Sequence, residues 1–331
     1  AKKNICMDKI LGIGNALTDV SVILRNDDIL TELGLPKGGM VHIDDELFGK
    51  IQLMLEHHHV IITPGGSIAN SCRAMGHLGV PAGFIGKVGH DKIGQLYAKS
   101  LTDVGLENLL VVSPNLSSGV CTSFISQGGE RTFADHMEAS IDLRADDLNP
   151  DIFKQYKYLL LEGYLVQNHK LIEQAAKMAK EAGMKVAMDL ASYNIILEDH
   201  DFCTYLFENY IDIIFANEEE AKALTGLEPY DAARKLTQCC YIAIVKMGAK
   251  GSIIATREQL SEVQAQKANC IDSTGAGDFF AGGFLYGLVN GHNLNQCAKI
   301  GSIIAAEVVQ VVGTELSREK WIDIKHKIVE I

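Results

Sequence analysis

The run Asp272-Ser273-Thr274-Gly275-Ala276-Gly277-Asp278-Phe279-Phe280-Ala281-Gly282-Gly283-Phe284 brings one carboxylate, Asp278, to the head of an apolar stretch. Gly275, Ala276 and Gly277 let the backbone pass close to a ligand. The first N–H groups of a helix opening near Gly277 lack partners and sit at the positive end of its dipole. The chemistry on offer is an anion site with a base beside it, suited to a phosphoryl group in transfer. The same residues also read as an ordinary strand-to-helix turn with Asp278 as a helix cap.

Other segments place polar groups where ligands bind. Gly12-Ile13-Gly14-Asn15-Ala16-Leu17-Thr18-Asp19 follows a first strand and puts Asn15 and Asp19 at its C-terminal end, where open α/β sheets take ligands. An amide and a carboxylate suit sugar hydroxyls, and a turn leading into another strand is the alternative. Gly65-Gly66-Ser67-Ile68-Ala69-Asn70 reads locally as a turn with Ser67 capping an apolar helix from Ile68 to Leu78. Asn217-Glu218-Glu219-Glu220 puts residues 217 and 220 on one face of an opening helix, and its acidic residues complement the dipole with or without a ligand. In Val245-Lys246-Met247-Gly248-Ala249-Lys250-Gly251 the glycines also fit a hairpin, and Arg131 of Gly129-Glu130-Arg131-Thr132 also fits a solvated hairpin charge.

In this order the segments resemble the signatures of the ribokinase/PfkB family of sugar and nucleoside kinases, over nearly the whole chain. The resemblance implies a ribokinase-like three-layer α/β/α core with a mostly parallel sheet, plus a small β-sheet lid. It implies ATP-dependent transfer of the γ-phosphoryl group to a primary hydroxyl, with Asp278 as general base and Gly275, Ala276 and Gly277 as anion hole. Asn15, Asp19, Gly39, Gly66, Ser67 and Asn70 fall at acceptor positions. Asn217, Lys246, Gly248 and Gly251 fall at nucleotide positions with Gly275 and Gly277. Asn217 and Glu220 match the Asn-x-x-Glu motif that organises Mg²⁺ through water. Asp272 and the Thr274 carbonyl match one side of a monovalent cation site, often potassium. Arg131 looks like the Arg that adenosine-kinase-like members bring from the lid toward the transferring phosphate. The chain departs from the pattern in three places: Lys246 stands where many members have Thr, Ser67 replaces the Lys of ribokinases, and Ile68 fills a position where many sugar kinases have a small residue. Gly-Gly-Ser followed by Asn looks closer to adenosine kinases and their bacterial relatives.

The elements that must position these groups follow from periodicity. Tyr158 to Leu161, Val186 to Leu190, Ile211 to Phe215 and Ile242 to Val245 read as strands, with Ser252 to Ala255 as an antiparallel edge partner. Helical periods over 169–182, stopped by Gly183, and from Glu218 to Leu224, stopped by Gly226, alternate with them as in βαβ units. Residues 294–309 are apolar nearly all round and predict a buried helix. Val20 to Leu24, Gly39 to Ile43, Val120 to Ser126 and Arg131 to Asp135 are strand candidates without intervening helices, with a hairpin at Gln127-Gly128-Gly129. They predict a small sheet outside the main one. With no linker, low-complexity run or repeat, the chain reads as one domain, 1–331, with a lid from insertions at roughly 15–45 and 112–137.

A chain of 331 residues at 47% hydrophobic composition can bury a large core, and its net charge of −12 argues against a nucleic-acid surface. Cysteines at 6, 72, 121, 203, 239, 240, 270 and 297 show no Cys-x-x-Cys spacing and read as free thiols in a reducing compartment. No segment reads as a signal or membrane span, so a cytoplasmic protein without nucleic-acid or membrane partners is expected, as a monomer or homodimer. His57-His58-His59 reads as a surface helix end, since consecutive side chains diverge. The P-loop signature is absent, and Leu17 stands where a third glycine would complete a dinucleotide fingerprint. An adenosine-like acceptor is the preferred expectation, on Gly66-Ser67 with Asn70, Glu162-Gly163-Tyr164 and Arg131. Fructose, ribose or ketodeoxygluconate kinases would use the same phosphate machinery, and a noncatalytic sugar-binding regulator on the same fold is the further alternative.

Overall fold

Short apolar runs separated by helices line up as a nine-stranded sheet. Its spatial order is Leu260–Val263, Ser252–Ala255, Ile242–Lys246, Ile213–Asn217, Lys185–Asp189, Tyr158–Glu162, Ile10–Ile13, Ala82–Ile85, Glu107–Asn108. Pairing is parallel from Glu107–Asn108 to Ile242–Lys246 and antiparallel for the last two strands. This computed structural model describes residues 8–331, so Cys6 lies outside the described residues.

Helices cover both faces, which is why the central strands are apolar without alternation. Leu159 and Leu161 pack with Leu171 and Ala175 of helix His169–Glu181, whereas Leu160 points the other way to Ile68 of helix Ser67–Leu78 and Phe284 of helix Ala276–Val289. Helix Leu294–Val308 lies against Ala276–Val289, where a Cβ on Gly283 would come within 2.8 Å of the Gly301 Cα.

A separate five-stranded sheet has the order Met40–His42, Arg131–His136, Gly119–Ile125, Leu17–Ile23, Val60–Pro64. Its alternation decides which residues face where. Val22, Phe124 and Ala134 on one face are buried with Leu30 and Ile51 of two short covering helices, Asp28–Glu32 and Asp45–Leu55. The opposite face carries Asp19, Cys121, Arg131 and Asp135.

The main-sheet strands and the helix before Gly183 form within a residue or two of the predicted ranges. Ser252–Ala255 is antiparallel as expected but is not the edge, because Leu260–Val263 covers it. Gly12 lies inside the first strand rather than after it, so the turn begins at Gly14. Val60–Pro64 lies outside the strand candidates read from the sequence, although Val60, Ile61, Ile62 and Thr63 are all β-branched and carry a plain strand signal. The hairpin at Gln127–Gly129 forms, with Gly129 at a φ of 82°. The seven described cysteines are all free, and among the described residues no helix is long and apolar enough to cross a membrane.

Candidate active site

Neighbouring parallel strands end on polar residues at one rim of the sheet, where their backbones open toward solvent. Register sets Glu162 beside Asp189 and Asn217 beside Lys246, with Asn15 just past the first strand. Two helix N-termini face this rim. Helix Ser67–Leu78 starts after Gly66, whose φ of 87° leaves no comfortable place for a side chain, and helix Ala276–Val289 starts after Gly275, at 76°.

Asp278 sits in the first turn of its helix but caps nothing. Its Oδ1 accepts from the Ser67 hydroxyl at 2.7 Å and its Oδ2 from the Asn70 amide at 2.9 Å. Ser67 is thus not the helix cap that the local sequence predicts: Gly66 holds that position without a side-chain bond, and the hydroxyl is spent on Asp278. The Ser71 hydroxyl fixes the Asp278 carbonyl at 2.8 Å. Arg73 completes the arrangement, donating to the Asn70 carbonyl oxygen at 2.6 Å and to the Pro64 and Gly65 carbonyls. With its oxygen held by a guanidinium, the Asn70 side chain must present its NH₂ to Asp278. Burial pushes the Asp278 carboxyl up to about 6, while the Asn70 and Ser67 bonds pull against that rise.

On one side of Asp278 opens a cavity of 1130 Å³ running past Lys246, Gly248 and Gly251 to Ala305 and Gln310. Lys246 donates to Asp189 at 2.8 Å, and both are largely buried. A Cβ on Gly277 would lie 3.0 Å from the Lys246 ammonium, so the cation is set against the anion turn. Burial works against that ammonium, but Asp189 and Glu220 outweigh it and hold its pKa above the usual lysine value. Glu220 and Asn217 form a reciprocal capping box: the Asn217 N–H and amide each donate to Glu220 at 2.8 Å, and the Glu220 N–H donates back. Burial pushes the Glu220 carboxyl up to about 7, with Asp189 adding to the rise.

On the other side lie Asn15, Asp19 and Asn70, none of which lines the cavity. A Cβ on Gly65 would stand 2.5 Å from the Asp19 carboxylate, so only glycine allows that approach. Burial lifts Asp19 to about 6, and Asp278 contributes to the rise. The Asn15 N–H donates to Glu162 at 3.2 Å, and burial pushes Glu162 up to about 8. Arg131 reaches from the five-stranded sheet to Asp272 at 3.2 Å. Asp272 also accepts from the Thr274 N–H and hydroxyl and from the Gly313 N–H. Although burial opposes it, the Gly313 and Thr274 donors hold this carboxyl below the usual range. Gly39 lies at the edge of the five-stranded sheet, where its N–H closes a turn on Pro36 and its carbonyl accepts from the Phe133 N–H.

Sequence reasoning missed Asp189 and Arg73. Asp189 carried a legible signal, a lone acid at the last position of an apolar strand. The histidine triplet forms no metal cluster among the described residues.

The model of the pfkB family carbohydrate kinases matches residues 39–321. Adenosine kinase 2 of Arabidopsis thaliana is 25% identical over 328 residues, covering 92% of this chain and 94% of that one. Among solved structures, the adenosine kinase from Sinorhizobium meliloti superposes with a TM-score of 0.83 at 27% identity, over 97% of this chain and 99% of the other. A probable sugar kinase protein from Rhizobium etli gives a TM-score of 0.84 at 26% identity, over 97% and 98%.

Proposed function

We propose, for a chain that belongs to the pfkB family of carbohydrate kinases, that Asp278 is the base in transfer of the γ-phosphoryl group of ATP to a primary hydroxyl, with an adenosine-like acceptor preferred. The kinase class follows from the family. The observation that carries the site reading is a carboxylate gripped by Ser67 and Asn70 between a nucleotide-sized cavity and a second polar cluster.

The acceptor hydroxyl gives its proton to Asp278 as its oxygen bonds to the γ-phosphorus and the bond to the leaving diphosphate oxygen breaks. Because such a transfer leaves little covalent work to the protein, positioning and electrostatics carry the rate. Asn15, Asp19 and Asn70 hold the acceptor, and the N–H groups after Gly275 with Lys246 stabilise charge on the phosphates. The five-stranded sheet serves as a lid, tied to the anion turn by Arg131.

Asp189, bonded to Lys246, and Glu220 and Asp278, whose charges also act on that ammonium, form a carboxylate set that fits a divalent metal held through water. Bound there with the triphosphate, Mg²⁺ supplies charge neutralisation and orientation of the phosphates. Potassium at Asp272 fits poorly, because that carboxylate already accepts from Thr274, Gly313 and Arg131. The free cysteines support a reducing compartment, the cytoplasm. The adenosine preference is supported by the names of the Arabidopsis and Sinorhizobium relatives.

The test is Asp278→Asn, assayed for phosphate transfer over nucleosides, pentoses and hexoses. Turnover should fall by roughly two to four decades with ATP binding retained. Near-normal turnover would remove Asp278 from the mechanism, and sugar binding without transfer by the wild-type chain would favour a regulator.

A further inference from the structure

The face of the five-stranded sheet turned to the cleft carries more polarity than holding one reactive hydroxyl requires. Register aligns Thr63, Asp19, Cys121, Asp135 and His42 in one row across the five strands. Strand alternation puts them all on the side opposite the covering helices. Asp19 at one point of the row stands against Gly65 and feels the charge of Asp278, and Arg131, two same-face rows along from Asp135, reaches Asp272. Both tie this face to the site.

Asp135 is 6% exposed, and its Oδ1 has no hydrogen-bond partner. The Ser123 hydroxyl, on the same face one row away, is 4% exposed and likewise unpartnered. Tyr164 lines the nucleotide cavity. Burial raises the Tyr164 hydroxyl, with Glu162 the next cause and Asp135 the least of those that add to it. A buried carboxylate oxygen left without a donor is costly, and the cost is relieved when a ligand N–H or O–H arrives. Among the groups around the acceptor space, Ser67, Asn70 and Asp278 already satisfy one another, whereas Asp135 and Ser123 wait.

We propose that Asp135, helped by Ser123, reads a hydrogen-bond donor at the end of the acceptor remote from the phosphorylated hydroxyl, either the exocyclic amine of a purine nucleoside or a ring hydroxyl of a sugar. The inference rests on the kinase reading above and adds selectivity to it. An apolar remote end would leave the Asp135 oxygen buried and unpaired, so acceptors lacking the donor are rejected at this position.

The experiment compares matched acceptors with and without the donor: adenosine against purine riboside, and ribose or fructose against their deoxy forms. For whichever pair the wild-type chain prefers, Asp135→Ala should lower kcat/KM of the donor-bearing acceptor about 10- to 100-fold and that of its partner less than about threefold. The pair affected identifies amine or hydroxyl as the source. Asp135→Asn, which keeps the shape and one carbonyl oxygen, should fall between, and a thermal melt controls for folding. Equal losses on both members of each pair, or none, would overturn the inference while leaving the kinase intact. Absence of transfer to every acceptor by the wild-type chain would overturn the kinase reading, and this inference with it.

Discussion

Ser67→Ala tests whether the grip on Asp278 sets its working pH. The hydroxyl donates to Asp278 at 2.7 Å, and a hydrogen bond to a charged group contributes about 1.5–3 kcal/mol. At about 1.36 kcal/mol per pKa unit, its loss raises the carboxyl by roughly one to two units from its value of about 6. A base works ionised, so raising its pKa depletes it on the acid side and moves the acid limb of kcat to higher pH. Near pH 7 the ionised fraction falls from about nine-tenths to between about one-half and one-tenth, and kcat drops roughly two- to tenfold. Near pH 9 both proteins are ionised and the rates converge. The assay is coupled detection of ADP at saturating acceptor and ATP from pH 5 to 9. A uniform drop in kcat with the limb unmoved would refute the reasoning, since Ser67 would then be positioning substrate rather than tuning the base.

Two other substitutions probe buried charge. Lys246→Met leaves Asp189 buried without its partner, a loss of about 3–5 kcal/mol, visible as a lower denaturation midpoint together with a KM for ATP raised about tenfold. Adding Asp189→Asn should restore much of the stability and little of the ATP affinity; restoration of both would show that Lys246 serves the fold alone. Glu162→Gln should raise thermal stability as pH rises. The folded-state pKa of Glu162, about 8, lies above its ordinary 4.5, so the wild-type protein is favoured while the group stays protonated and loses stability between those values. The difference in melting temperature should grow from pH 5 to 8 and then level off; a difference independent of pH would mean that Glu162 is already ionised in the folded protein.

The main sheet was readable because its strands are buried on both faces and its helices end on glycines such as Gly183 and Gly226, signals that local chemistry dictates. The Asp278 turn was readable only in part: small residues before an acid at a helix start are common in α/β proteins, and the full thirteen-residue run, in order behind the other segments, singled it out. What Asp278 bonds to was not readable. Ser67 lies 211 residues away, and in its own segment it imitates a cap, a role that Gly66 takes by backbone conformation alone. Arg73 looks like an ordinary helix residue, and its effect on Asn70 exists only after the Gly65 loop folds back over it. Val60–Pro64 was legible as a strand from its β-branched run; only its pairing with Leu17–Ile23 lay beyond local sequence.

The alternation of the five-stranded sheet has an evolutionary consequence. Residues of the cleft face and residues that hold the sheet to its covering helices occupy alternate positions on the same strands, so one face can change with little effect on the other. On the reading proposed above, a lineage built on this scaffold exchanges its diet of acceptors through point substitutions at positions such as 121, 123 and 135 while inheriting the transfer apparatus unchanged. A single-residue insertion within one of these strands has no such licence, because beyond the insertion it would turn the cleft-facing side chains into the oil and the oily ones toward the cleft.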